Sequence, residues 1–160
     1  MEKAKQLLAS AGQPQPSVTM LVQNLLEFMQ AAQVMQAMVG EAGFNLTLQT
    51  VESNTAINMS HDGQYESYLS GWSGRIDPDG NIYNFATCKA PLNDANYCNP
   101  TVDRELDEAR IYQTPAERLP HYAKAMAELI KDRPMIFLWH VTWLWRQPPS
   151  SPALHLIPTG

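Results

Sequence analysis

Basic clusters are missing from this chain. Lys and Arg number 11 against 16 Asp and Glu, for a net charge of −5, and the cations are scattered. Without a basic stripe there is no electrostatic footprint for phosphate backbones, so no nucleic-acid partner is expected. Long apolar runs are missing too: none approaches the roughly 20 residues that span a bilayer. Charge is sparse at 17%, yet 44% of residues are hydrophobic, which argues against disorder. Cysteine is limited to Cys88 and Cys98, and the four histidines, His61, His121, His140 and His155, are dispersed, so no zinc spacing appears. There is no Gly-x-Ser-x-Gly elbow, Gly-rich phosphate loop or readable pair of catalytic carboxylates. No cofactor or metal is implied, and the reading is of a non-enzyme. Met1-Glu2-Lys3 leads straight into Ala4, Leu7 and Leu8, so the opening reads as an amphipathic helix rather than a signal peptide.

What is present alternates between helix and strand signals. The pattern predicts a helix over Lys3 to Ala11 closed by Gly12, a strand over Val18 to Val22, and a helix from Leu25 to Val39 on the face Leu25, Phe28, Ala32, Met35 and Val39. It then predicts a strand from Leu46 to Val51, a short helix from Ser53 to His61 capped by Ser53 or Asn54, and a strand from Tyr65 into Gly71-Trp72. Ser73 to Pro100 reads as a polar loop with one helical turn near Asn81 to Phe85. Asn99-Pro100 opens a helix buried through Val102, Leu106 and Ala109. Thr114-Pro115-Ala116-Glu117 carries the capping-box pattern for a helix from Pro115 to Lys131. Met135 to Trp145, aromatic and β-branched, predicts a buried strand, and residues 147–160 form a proline-rich tail. The fold class expected is α/β: one domain over 1–160, a mixed or parallel sheet flanked by helices, with all four strands in one sheet.

Five segments, in order, resemble the family 5 extracellular solute-binding proteins, the peptide, nickel and opine receptors of ABC importers. They are Lys3-Ala4-Lys5 with Leu7-Leu8 and Ala11-Gly12; Gly40-Glu41-Ala42-Gly43-Phe44 before Leu46-Thr47-Leu48; Gly71-Trp72-Ser73-Gly74-Arg75-Ile76-Asp77-Pro78-Asp79; Tyr97-Cys98-Asn99-Pro100-Thr101-Val102-Asp103; and Pro134 to Trp139. The resemblance implies one lobe of a two-lobed, type II periplasmic binding protein: the C-terminal ligand-binding lobe, without its N-terminal partner lobe. It further implies a periplasmic location, a peptide or other small-molecule ligand, and the importer's membrane subunits as partners.

The candidate ligand-binding residues are Trp72, Ser73, Arg75, Asp77, Trp139 and His140. Trp72 stands where a strand gives way to a loop, as a cleft wall or as a plug of the core. In many peptide-binding members an Asp, three residues after the tryptophan, pairs with the ligand's amino group; here Arg75 occupies that place. A guanidinium fork suits a carboxylate, so an acidic ligand is expected, unless Arg75 pairs internally with Asp77 or Asp79. Asp77-Pro78-Asp79-Gly80-Asn81 has some look of a calcium loop but lacks the EF-hand register, and a turn leading into a helix fits better. Cys88 and Cys98 are either two separate thiols or a small-loop disulfide. Two other classes stand beside the receptor reading. One is an α/β hydrolase-like enzyme with dispersed catalytic residues, marked by a buried His or Asp beside a nucleophile. The other is a self-associating interaction module.

Overall fold

The computed structural model describes residues 1–142. The described elements are α1 (Glu2–Ser10), β1 (Ser17–Gln23), α2 (Leu26–Glu41), β2 (Asn45–Val51), α3 (Ser53–His61), β3 (Ser67–Leu69), α4 (Asp79–Ala86), α5 (Pro100–Ile111) and α6 (Pro115–Asp132). They fall into two compact units, Met1–Trp72 and a second beginning at Ser73.

The first unit is the sheet. β1 lies between β2 and β3 and pairs with both in parallel, Val18 opposite Leu46 and Leu21 opposite Tyr68. A central strand is covered on both faces, and Met20, Leu21 and Val22 are accordingly all buried. Met20 and Val22 meet Ala32, Leu46 and Leu69, with Phe28, Met35 and Val39 of α2 against them. The periodic face of α2 is thus the face that covers the sheet. α1 ends as expected: Gly12 takes φ +70° while its N–H donates to the Ala9 carbonyl at 3.0 Å. α3 starts where predicted, but its cap is Glu52, whose carboxylate accepts from the N–H of Asn54 (2.9 Å) and Thr55 (3.2 Å). A longer acid one residue upstream does the work assigned to Ser53 or Asn54. Because all three strands run the same way, their carboxyl ends share one edge. The chain leaves that edge through Ser70 and Gly71 to Trp72.

The second unit is helical and has its own core of Ala86, Val102, Leu106, Ala125 and Leu129. The helical turn expected near Asn81 is a full helix, α4. Asn99 caps α5 by accepting from Thr101 N–H (2.9 Å), with Pro100 in the first turn. Thr114 and Glu117 form the reciprocal capping box of α6. The helix stops at Arg133, which enters the left-handed region at φ +52° and donates its N–H to the Leu129 carbonyl (2.8 Å).

Two expectations are corrected. The three described strands do share one sheet, but there is not one core, since each unit has its own buried cluster. Met135 onward is also not a buried strand among the described residues. Ile136 (76% exposed), Phe137 and Val141 are solvent-facing, and no ladder includes residues 135–142. The β-branched and aromatic content of this run reports a capacity to pair, and pairing needs a partner strand. Residues 143–145 of that predicted strand, and the tail at 147–160, lie outside the described residues.

Candidate functional site

The loop at the start of the second unit is densely hydrogen-bonded. Gly74 takes φ +77°, turning the backbone before Arg75. Asn81, in the first turn of α4, then grips the Arg75 peptide on both sides. Its Oδ1 accepts from Arg75 N–H at 2.6 Å, and its Nδ2 donates to the Arg75 carbonyl at 2.7 Å and to the Asp77 carbonyl at 3.2 Å. The Arg75 Nη1 donates to Ser73 Oγ (3.1 Å) and to the Gly74 carbonyl (2.7 Å). The stem of Arg75 lies close over Gly80, where an added Cβ would stand 3.0 Å from its Cβ and Cγ.

Asp77 is fixed from the far side of the second unit. Arg118 of α6 donates two parallel hydrogen bonds to its carboxylate, at 2.8 and 2.7 Å, and a third from Nε to the Ala109 carbonyl at 3.1 Å. It also donates to the Tyr122 hydroxyl. The Arg118 hydrogen bonds, helped by the Asp79 N–H, hold the Asp77 carboxyl down at about 2. The same pairing raises Arg118 above its ordinary value. Asp79 turns to Arg110, whose Nε lies 3.1 Å from Oδ1. That is ion-pair distance, but Oδ1 has no aligned hydrogen bond. Arg110 also stacks over the Tyr83 ring at 3.9 Å. The Asp77–Asn81 stretch is therefore the turn and helix start that sequence favoured, with both carboxylates facing arginines.

Cys88 and Cys98 are joined, their Cα atoms 4.6 Å apart. The closed loop is tied further: the Cys88 N–H donates to Asp103 (2.9 Å), and buried Asn93 bridges the carbonyls of Thr87 and Tyr97 while accepting from Tyr97 N–H. Asp103 lies near both sulfurs, but these are bonded to each other.

Of the sequence-predicted residues, the structure gathers Ser73, Arg75 and Asp77 on one loop. Asp77, its side chain 58% exposed, is paired with Arg118. Trp72, 44% exposed, closes the first unit, so it is no core plug there. Trp139 and His140 are exposed on the irregular segment after α6. Sequence reasoning missed Asn81 and Arg118. Asn81 could have been suspected from its place just after the turn, whereas Arg118, 41 residues from Asp77, left no local signal. A buried carboxylate–imidazole contact does exist, Glu105 to His121 Nδ1 at 2.9 Å. Its surroundings are Arg104, Lys124 and Tyr112, none of them a serine, threonine or cysteine. Hydrogen bonds from Arg104, then His121, hold Glu105 below its usual value. It links α5 to α6 as a structural pair.

Residues 1–93 match the family described as bacterial extracellular solute-binding proteins, family 5 Middle. The chain is 29% identical over 144 residues to a di/tripeptide-binding protein 4 of Pseudomonas aeruginosa, covering 84% of this chain and 27% of that protein. It resembles the solved dipeptide-binding protein of Pseudoalteromonas sp. SM9913 in complex with Met-Leu: TM-score 0.77, 26% identity, 83% of this chain and 28% of that one. It is likewise similar to the ABC transporter-associated periplasmic binding protein DppA of Helicobacter pylori in complex with the peptide STSA, with TM-score 0.73, 26% identity and coverage of 83% and 27%. The chain thus spans about a quarter of the length of these relatives. With more than half of its residues inside the matched region, it belongs to the family 5 bacterial extracellular solute-binding proteins.

Proposed function

We propose that the chain is the C-terminal ligand-binding lobe of a periplasmic receptor that captures peptides, or similar small acidic solutes, for an ABC importer, and that it binds rather than catalyses. Of the relatives named above, one is a di/tripeptide-binding protein, one a dipeptide-binding protein in complex with Met-Leu, and one is in complex with the peptide STSA. The observation that carries the acidic preference is the rigid placement of Arg75, gripped through its own peptide by Asn81. Where a neighbouring carboxylate would attract a ligand's amino group, a guanidinium attracts a carboxylate, a pairing that favours two parallel hydrogen bonds. One lobe supplies only part of the enclosing surface, so the chain alone binds weakly and the two-lobed protein binds well. Calorimetric titration of both forms with dipeptides tests this. Micromolar affinity in the two-lobed protein, absent in the isolated chain, supports the reading, and no binding by either form overturns it.

A further inference from the structure

The polar contacts of the loop form a relay. Arg118 fixes the Asp77 carboxylate with two hydrogen bonds. Asn81 bonds the Asp77 carbonyl and both the N–H and the carbonyl of Arg75. The stem of Arg75 then lies over Gly80, the one residue type that leaves room for it there. Three features outside the Arg75 side chain thus set its backbone position and its clearance, and its own Nη1 hydrogen bonds to Ser73 Oγ and the Gly74 carbonyl add to its direction. Arg118 is itself well buried, its side chain 16% exposed, and is held by Ala109 and Tyr122, so the relay begins on a fixed point in α6.

We propose that Asn81 and Arg118 are positioning residues that set the reach of the Arg75 guanidinium and, through it, the discrimination between acidic and neutral ligands. The selection half rests on the receptor reading above; the positioning half does not. A side chain acting only through bulk stability would weaken all ligands alike. A positioning residue changes the ratio between ligand classes, because the bidentate contact needs fixed geometry while apolar contact does not.

The test uses the two-lobed protein and two readouts: hydrogen exchange at the Arg75 amide, and calorimetric affinities for the dipeptides Ala-Glu and Ala-Gln. Asn81→Ala removes all three contacts and is expected to speed Arg75 exchange about tenfold, the order of one lost hydrogen bond, and to shrink the Ala-Glu over Ala-Gln preference toward that of Arg75→Ala. Asn81→Asp keeps an acceptor for the Arg75 N–H but loses the donor, so it should fall between. Arg118→Lys keeps the charge and loses the fork, and should also shrink the preference. Gly80→Ala guards against misfolding in the others: it leaves the hydrogen-bonding side chains intact, displaces the Arg75 stem, and is expected to alter the preference without lowering the thermal midpoint as much. Unchanged Arg75 exchange in Asn81→Ala overturns the positioning role. Equal loss for both dipeptides, with the ratio intact, overturns the role in selection. If wild type binds neither dipeptide, the selection half falls together with the receptor reading, and Arg75 exchange alone decides the positioning half.

Discussion

The two units of this chain are built from different interactions. The first depends on backbone ladders and aliphatic burial: three parallel strands with Leu21 and Val22 at 1% and 0% exposure in the middle one. The second has no ladder among its described residues. It is held by a small aliphatic core, a disulfide, reciprocal helix caps and paired charges. Burial of apolar surface is insensitive to pH and redox state, whereas the second unit's disulfide responds to redox state and its paired charges to pH. The candidate ligand loop lies in the responsive unit.

The sharpest way to separate the two is by their cores. Leu21→Ala and Leu106→Ala each remove a side chain that is 1% exposed and should each cost about 3–5 kcal/mol. Hydrogen exchange should locate the first loss in β1–β3 and the second in α4–α6. If either substitution loosens both regions equally, the separation of cores is wrong. Next comes the disulfide. Replacing Cys88 and Cys98 by serine opens a loop of sequence separation 10 and should destabilise the second unit by about 3 kcal/mol, with the sheet's exchange rates unmoved. A smaller effect follows from the capping box: Thr114→Ala should cost about 1 kcal/mol, read as fraying at the start of α6.

Protonation probes the same contrast at both extremes. Asp77 is held at about 2, below the ordinary aspartate value of 3.8. Its contribution is therefore present above about 3.8 and lost as pH falls through about 2. Tyr97 is pushed up to about 12 from 10.0 by burial and by its hydrogen bond to Asp132. Its contribution is complete below 10 and disappears as pH rises through about 12. Fluorescence or exchange followed from pH 2 to 12 should show the second unit loosening at both ends. Asp77→Asn should flatten the acid limb, and Tyr97→Phe the alkaline one.

Much of this architecture was legible because its signals are local. The 3.6-residue stripe of α2, the Asn99-Pro100 start and the Thr114–Glu117 box each state their structure within a few residues. What was hidden depends on separation in sequence. Periodicity says which face of a helix is buried but not which buried faces share a core, so two clusters read as one. The aromatic run from Met135 read as a strand because β-propensity reflects burial that residues 136–142 do not have. At the candidate site, sequence placed Arg75 and offered Asp77 and Asp79 as partners. The structure shows Asp77 meeting Arg118 and Asp79 meeting Arg110, both contributed by distant helices.

The central claim is that Arg75 gives the lobe a preference for acidic ligands, and paired titrations of the two-lobed protein test it most directly. Wild type and Arg75→Ala would each be titrated with Ala-Glu and Ala-Gln. Wild type should bind Ala-Glu about tenfold more tightly than Ala-Gln, the scale of a charge-assisted bidentate contact. Arg75→Ala should bind the two within about twofold of each other while keeping most of its affinity for Ala-Gln. The same preference in both proteins, or an equal loss of affinity for both dipeptides, would contradict it.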